Sequence, residues 1–233
     1  MSVPNIILCA GAPNPAIHKI SKVIKSLPKD SEIILIGVDR GALRLIDSGY
    51  QLDIAIGDFD SVTDKEFSKI EKFSDVVNRV SSEKDLTDTE LAFHWIYENY
   101  PHANLYVFGS IGEGKGRLDH LISNLYLIYQ PELENLLHHT QIIESYLEIT
   151  WFGPGNHVIE VGNILPDYLS IITLTEVKKL SIENAKYNLP PTDYKRPMAF
   201  ISNEFIDLNS NVKLSLVEGQ VMVMKINESN VEL

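Results

Sequence analysis

The sequence is poor in several features that point to particular classes of protein. Its single cysteine, Cys9, excludes an internal disulfide, and the chain has no Cys/His set for structural zinc. Acidic residues outnumber basic ones, with 32 Asp and Glu against 20 Lys and Arg and a formal net charge of −12. A nucleic-acid partner needs a basic face that neutralises phosphates, so this balance argues against one. An anionic ligand would need local Lys or Arg, or a metal ion.

Long hydrophobic runs are also missing. No apolar stretch reaches about eighteen residues, the length that indicates a membrane-spanning helix. The first residues, MSVPNIILCAGAPNP, place no basic segment ahead of their short apolar run, unlike a secretory signal. We therefore expect a cytoplasmic protein without a membrane partner.

The first part of the 233-residue chain alternates short β-branched runs with helical patterns. This alternation predicts βα units around a parallel sheet. The predicted strands are residues 6–10, 32–38, 52–56, 76–80 and 104–109, and the predicted helices are residues 17–27, 41–47, 88–100 and 118–129.

After about Pro131 the pattern changes to strands and turns, which predicts a small β-sandwich. The predicted strands are residues 141–152, 157–161, 168–174 and 179–187, followed by a hairpin over residues 212–226 that turns at Glu218-Gly219. The predicted fold class is thus α/β plus all-β, with an N-terminal parallel-sheet domain (1–136) and a C-terminal β-sandwich domain (137–233).

The segment IGDFDS places Asp58 and Asp60 directly after a predicted strand, at the end where open α/β sheets bind ligands. An isolated pair of this kind fits turn residues, a cation site or the nucleophile and acid of a hydrolase. A calcium loop beginning at Asp58 is excluded, because Thr63 stands where glycine is needed and Lys69 where a bidentate glutamate is needed. We expect Phe59 to point into packing, which lets both aspartates face one cation.

A second acidic segment, KDLTDTE, begins the predicted helix at residue 88. Thr87 and Glu90 fit a capping box at its start. Capping does not require Asp85 as well as Asp88, and the extra acids exceed what the helix dipole needs. With Asp58 and Asp60 they predict an all-oxygen Mg²⁺ site.

The glycine-rich segment GSIGEGKGRLDH, residues 109–120, joins a predicted strand to a predicted helix. Its glycines allow the backbone to approach phosphate oxygens, while Lys115 and Arg117 supply positive charge. It matches neither the Walker A loop nor GxGxxG. Asp119 and His120 fit the start of the helix.

Together, GDFDS, KDLTDTE, GKGRLDH and ISNEF (residues 201–205) resemble the thiamine pyrophosphokinase family, in that family's order and over nearly the whole chain. The resemblance implies an enzyme that transfers the pyrophosphoryl group of ATP to the hydroxyl of thiamine, giving thiamine diphosphate and AMP. It implies that residues 1–136 bind ATP and Mg²⁺ and that residues 137–233 bind thiamine and dimerise. Thiamine would lie between the catalytic domain of one subunit of a homodimer and the sandwich of the other.

By motif, the resemblance places Mg²⁺ on Asp58, Asp60 and Asp88, with Arg117 and Asp119 as further catalytic residues. We also expect one nearby carboxylate to accept the hydroxyl proton. The residues expected to bind substrates are Lys84, Asp85, Thr87, Lys115, Arg117, Ser202 and Asn203. Two alternatives remain at this point. One is a Mg²⁺-dependent phosphohydrolase with Asp58 as nucleophile, and the other is a non-catalytic thiamine- or nucleotide-binding module.

Overall fold

The computed structural model describes residues 3–81, 86–112 and 117–228. The chain divides into two compact units between Ser145 and Tyr146. The boundary expected from the sequence lies between Leu136 and Leu137. In the structure these two residues are the last two of a short helix that belongs to the first unit. Among the described residues, no helix is both long and apolar enough to cross a bilayer.

The first unit is built around parallel strands. They are β1 (Asn5–Cys9), β2 (Ile33–Val38), β3 (Leu52–Gly57), β4 (Ser74–Arg79), β5 (Asn104–Phe108) and β6 (Thr140–Ile143). Their spatial order is β6-β5-β1-β2-β3-β4. β1 is buried at every position, which explains its continuous apolar sequence, since a central parallel strand is covered on both faces.

The helices of this unit are α1 (Ile20–Ser26), α2 (Arg40–Asp47), α3 (Asp64–Lys72), α4 (Asp88–Asn99), α5 (Leu118–Tyr126) and α6 (Glu134–Leu137). The helix predicted over 17–27 begins as a 3₁₀ turn at Ile17–Lys19, and the one predicted over 118–129 ends as a 3₁₀ turn at Leu127–Tyr129. Neither α3 nor α6 was predicted. α3 begins with the capping box Thr63/Glu66, a signal that is present in the sequence.

The second unit is a β-sandwich of two antiparallel sheets, as the sequence predicted. Its strands are β7 (Leu147–Phe152), β8 (Gly155–Ile159), β9 (Tyr168–Thr173), β10 (Val177–Glu183), β11 (Leu189–Tyr194), β12 (Ala199–Asn203), β13 (Val212–Leu216) and β14 (Val221–Ile226). One sheet contains β12-β9-β14-β7 and the other β11-β10-β13-β8. Buried side chains of both sheets, such as Ile171 and Val223 from one and Ile182 and Leu214 from the other, form a single core.

The prediction of a hairpin over residues 212–226 is wrong. β13 pairs with β10 and β8, whereas β14 pairs with β7 and β9, so the two strands belong to opposite sheets. The Glu218-Gly219 segment therefore carries the chain from one sheet to the other. Alternating apolar residues predicted both strands correctly, because each strand buries one face, but they do not determine the pairing partner.

Two other strand predictions needed correction, and two strands were missed. The strand predicted over 141–152 is two strands, β6 and β7, which lie in different units. The one predicted over 179–187 is shifted to β10, and β11 and β12 were not predicted. β11 contains Pro190 and Pro191, and it lies at a sheet edge, where proline is tolerated.

Candidate active site

A cavity of about 400 Å³ opens in the first unit at the carboxyl ends of the parallel strands. β1 lies between β2 and β5, and the strand order changes direction there, which is where open α/β sheets form their ligand crevice. The lining consists of residues 10–13, 38–40, 87–89 and 109–111, with Arg44, Ser61, Arg117, His120 and Asn124. The loops after β1, β2 and β5 therefore meet at one site.

Three carboxylates gather beside this cavity. Asp39 directly follows β2, and Asp58 and Asp60 follow the adjacent strand β3. One oxygen from each of the three lies within 4.8 Å of the others. Carboxylate oxygens are the ligands that Mg²⁺ prefers, so this donor set fits a hard divalent cation.

The backbone of the DFD turn explains how Asp58 and Asp60 share a side. Phe59 between them has a positive φ of 59° and is buried, with its ring centroid 5.2 Å from that of Phe67 on α3. The Asp60 N–H donates to Asp58 Oδ1 at 3.0 Å. The expectation that Phe59 packs inside is confirmed, and an oxygen of Asp58 lies within 4.8 Å of one of Asp60.

Asp39 was not predicted as a site residue. The Phe59 N–H donates to its Oδ1 at 2.9 Å, and the Asp39 N–H donates to the Ile56 carbonyl at 2.9 Å. A Cβ on Gly57 would lie 2.9 Å from Asp39 Oδ1, so glycine allows the two strand ends to approach this closely. A signal was available, because Val38-Asp39, like IGD at residues 56–58, puts an acid at the end of a buried β-rich run.

The electrostatics of the cluster are unfavourable in the absence of a cation. The pKa of Asp39 is raised to about 6, first by burial and then by the charge of Asp88, with smaller contributions from Asp58 and Asp60. The Phe59 N–H opposes this rise in pKa. A divalent cation would remove the repulsion that raises the pKa.

Asp88 begins α4 on another wall of the cavity, next to Thr87. The Thr87 side chain accepts the Glu90 N–H at 3.2 Å, as predicted for a helix cap. The carboxylate of Glu90 accepts from Gln130 Nε2, so the capping box predicted at Thr87/Glu90 forms on only one side. Lys84 and Asp85, which were predicted to contribute here, lie outside the described residues.

Three arginines bring positive charge to the same cavity. Arg40 Nη2 donates to the Ser61 carbonyl, and Arg44 Nη1 donates to the carbonyls of Gly11, at 2.9 Å, and Ala12. Burial is the main cause that lowers the pKa of Arg44. Arg40 and Arg44 were not predicted, although their i, i+4 spacing places them on one face of α2, directly after Asp39.

Arg117, one of the predicted site residues, lines the cavity, and its side chain binds that of Asp119. Arg117 Nε and Nη2 donate to the two oxygens of Asp119 at 3.1 and 2.5 Å. This bidentate pair lowers the pKa of Asp119 and raises that of Arg117, and both side chains are exposed. Lys115, the other predicted cation of this segment, lies outside the described residues.

The ISNEF residues belong to the second unit. Ser202 is exposed and has a positive φ of 67°. Asn203 is buried, where its Oδ1 accepts the N–H groups of Tyr187 and Glu204 and its Nδ2 donates to the Tyr187 carbonyl. The described contacts of Asn203 thus fix the backbone around the exposed Ser202.

Comparison with known families matches both units. The family model of the thiamin pyrophosphokinase catalytic domain matches residues 25–139, and that of the thiamin pyrophosphokinase vitamin B1 binding domain matches residues 156–221. Thiamine pyrophosphokinase of Bacillus subtilis (strain 168) is 35% identical over 198 residues, which cover 84% of this chain and 88% of the relative.

Solved structures agree over almost the full length. A thiamin pyrophosphokinase family protein from Enterococcus faecalis superposes with a TM-score of 0.81 at 27% identity, covering 96% of this chain and 99% of that one. The Bacillus subtilis enzyme gives a TM-score of 0.77 at 29% identity, with the same coverage. Yeast thiamin pyrophosphokinase, at 14% identity, shares the fold with a TM-score of 0.72. The superposition covers 99% of this chain and 89% of the yeast chain. Both the catalytic-domain and the vitamin B1-domain matches, with the Bacillus subtilis relative, show that this chain belongs to the thiamine pyrophosphokinase family.

Proposed function

We propose that this chain transfers the pyrophosphoryl group of ATP to the hydroxyl of thiamine, giving thiamine diphosphate and AMP, with Mg²⁺ as cofactor. The hydroxyl oxygen forms a bond to the β-phosphorus of ATP, and the bond from that phosphorus to the oxygen bridging the α-phosphate breaks. AMP leaves with the bridging oxygen, and the hydroxyl proton passes to a carboxylate. The observation that carries this proposal is the carboxylate cluster of Asp39, Asp58 and Asp60 beside a cavity that three arginines line.

The metal would be held by Asp39, Asp58 and Asp60, with Asp88 as the fourth nearby carboxylate. This assignment keeps Asp58 and Asp60 from the sequence prediction and adds Asp39. Its support is the short distance between the three side chains and the raised pKa of Asp39. When bound there, Mg²⁺ would neutralise phosphate charge.

The protein's own groups would provide positioning and charge, which is most of what phosphoryl-type transfer requires. The guanidinium groups of Arg40, Arg44 and Arg117 would bind phosphate oxygens, since a planar guanidinium suits them geometrically. One carboxylate of the cluster would accept the hydroxyl proton.

Thiamine is a cation, and the second unit would bind it in a homodimer, between the catalytic unit of one subunit and the sandwich of the other. Support comes from large apolar side chains that a single chain leaves uncovered. On α5, Leu118, Ile122 and Tyr126 are 68%, 43% and 62% exposed, and near Ser202 the exposed side chains are Ile201, Ile206 and Leu208. The three on α5 follow one another at four-residue spacing along one helix face, and exposed apolar surface of this kind is typical of interaction sites.

The direct test follows AMP and thiamine diphosphate formed from ATP and thiamine, with and without Mg²⁺. We expect equal amounts of the two products, and no AMP when thiamine is omitted. Phosphate release without thiamine would instead indicate the phosphohydrolase, and binding without product would indicate a non-catalytic module. Either result would refute the proposed transfer.

A further inference from the structure

Glu144 is a carboxylate inside the protein that the proposed reaction does not use. It directly follows β6 and has no exposed surface. Its Oε1 accepts the backbone N–H groups of Ser110 and Ile111 at 3.0 and 3.1 Å. A buried carboxylate is costly unless it is hydrogen-bonded, so these bonds fix both Glu144 and the loop that it contacts.

The loop that Glu144 holds is residues 109–112, which we call the β5 loop, and residues 109–111 form one wall of the cavity. It is tied at two further points. Asn124 Nδ2 donates to the Ser110 carbonyl at 2.7 Å, and the Ala12 N–H donates to the Gly109 carbonyl at 2.9 Å. Gly109 has a positive φ of 65°, and a Cβ there would lie 2.8 Å from the Ala10 carbonyl oxygen. The loop therefore has one well-defined conformation against the β1 end.

The segment that carries Glu144 is itself anchored. Lys19 Nζ donates to the backbone carbonyls of Glu144 and Ser145 at 2.6 and 2.9 Å. Lys19 follows the stretch 10–13, which also lines the cavity. The residues after β6 thus contact both the β5 loop and the turn that precedes α1, and they are not among the residues that line the cavity.

We propose that Glu144 is a positioning residue for nucleotide binding, an inference that rests on the proposed function. It holds the β5 loop in the shape that accepts the triphosphate, and it occupies two backbone donors that a glycine-rich loop would otherwise offer to phosphate. Phosphate contacts then fall to the arginine side chains and not to the amides of Ser110 and Ile111. The property of Glu144 that matters here is a side chain long enough to accept the N–H groups of both Ser110 and Ile111.

Two substitutions of Glu144 separate the effect of its side-chain length from the effect of its charge. Glu144→Gln loses the charge but keeps an oxygen at the same distance, whereas Glu144→Asp keeps the charge but is one methylene shorter. We expect Glu144→Asp to raise the KM for ATP about tenfold and Glu144→Gln to change it by less than about threefold, because only the shorter side chain loses the bonds to the loop. The KM for thiamine should stay within about threefold in both variants, because the loop lies on the nucleotide side.

Thr140→Val is the matched control. Thr140 is a buried polar residue of β6, the strand that Glu144 follows, but its hydroxyl donates to the Leu136 carbonyl, away from the loop. It should lower stability without changing the KM for ATP. If Thr140→Val raises that KM as much as Glu144→Asp does, the effect is general destabilisation and the inference is wrong. If the KM for ATP rises equally in Glu144→Gln and Glu144→Asp, the charge of Glu144 matters and not the length of its side chain, and the inference is also wrong.

Amide hydrogen exchange without substrates gives a readout that does not depend on catalysis. In the wild type the amides of Ser110 and Ile111 should exchange slowly, and in Glu144→Asp faster, with no change in Thr140→Val. If the wild type forms no AMP, the proposed function fails, and the exchange rates alone decide the role of Glu144. If Glu144→Asp does not fold, fast exchange at both amides of the wild type refutes the inference and slow exchange supports it.

Discussion

The Phe59 N–H donates to Asp39 Oδ1 at 2.9 Å, and this bond joins the ends of two neighbouring strands. Asp39 ends β2, and Phe59 stands between the two aspartates that follow β3. The bond therefore sets the distance between Asp39 and the Asp58/Asp60 pair. Together with the bond from the Asp39 N–H to the Ile56 carbonyl, it holds a three-carboxylate cluster whose residues lie about twenty positions apart in the chain.

Replacing Asp58 by Asn should reduce kcat for AMP formation by about a hundredfold or more, because one ligand oxygen and one negative charge are lost from the metal site. Asp88→Asn should also reduce it. The measurement is AMP formation at saturating Mg²⁺, ATP and thiamine. Asp75→Asn is the control, since Asp75 is exposed on β4 and accepts from Gln51 Nε2 outside the cavity. Near-wild-type turnover in Asp58→Asn would contradict the metal assignment.

Asp39→Asn should stabilise the metal-free protein at pH 7. The folded state holds the Asp39 proton more tightly than the unfolded state, because the pKa rises from 3.8 to about 6. The contribution of this group to the unfolding free energy is therefore lowest above pH 6 and increases as the pH falls from about 6 to about 4. We expect a gain of about 1 kcal/mol at pH 7, discounted for partial exposure of the carboxyl.

The same variant provides a test of Mg²⁺ binding. Mg²⁺ should raise the Tm of the wild type, since an ion that binds only the folded state stabilises it. The increase should be smaller in Asp39→Asn. Thermal unfolding at pH 5 and pH 7, with and without Mg²⁺, measures both effects. Equal shifts with Mg²⁺ in both proteins would remove Asp39 from the site.

Thr63 and Thr87 form a matched pair of helix caps, because each side chain accepts the N–H three residues later. Thr63→Ala and Thr87→Ala should each lower the unfolding free energy by about 1 kcal/mol. Only Thr87 lines the cavity, so only Thr87→Ala should also raise the KM for ATP or thiamine. Chemical denaturation and steady-state kinetics measure the two effects. An altered KM in Thr63→Ala alone would reverse this assignment.

Arg44→Lys should raise the KM for ATP about tenfold, because a lysine ammonium does not replace a guanidinium that binds two carbonyls and faces the cavity. Arg44 holds the carbonyls of Gly11 and Ala12, so the loop after β1 should also lose its shape. The KM for thiamine is the internal control and should change little. A similar increase in both KM values would indicate a wider disturbance of the first unit.

Charge placed on α5 should weaken the proposed dimer. Ile122 and Tyr126 are exposed one turn apart, and Ile122→Asp with Tyr126→Asp would put two buried charges into an interface that covers them. We expect the mass in solution, measured by light scattering after size exclusion, to fall from dimer to monomer. Val76→Asp is the control, because Val76 is 54% exposed on the edge strand β4. A dimer that persists in the double variant places the interface elsewhere.

The sequence allowed the two-unit architecture and the position of Asp58, Asp60, Thr87, Asp88 and Arg117 to be predicted, because each follows a strand or begins a helix with a distinct local pattern. Asp39, Arg40 and Arg44 were missed for the opposite reason. An acid after a buried strand and two arginines four residues apart are signals in the sequence, but each is weak because many residues without a role in a site share it. Their role becomes visible only when the sheet brings β2 beside β3.

Glu144 illustrates a second limit of prediction from sequence. Nothing in IIESY, residues 142–146, distinguishes this acid from a surface residue, and its partners are more than thirty positions earlier in the chain. The pairing of β13 and β14 with separate sheets was equally invisible, since alternation reports which face is buried and not which strand lies beside it.

The connection from β13 to β14 affects how the sandwich must fold. Two strands separated by a short turn normally pair first, because closing a small loop costs little entropy. Here the two strands do not pair with each other. β13 pairs with β8 and β10, and β14 pairs with β7 and β9, all of which lie earlier in the chain. The C-terminal strands therefore contribute few local contacts early in folding. Such non-local pairing slows the folding of β proteins, so the sandwich should form late, after most of its chain has been synthesised.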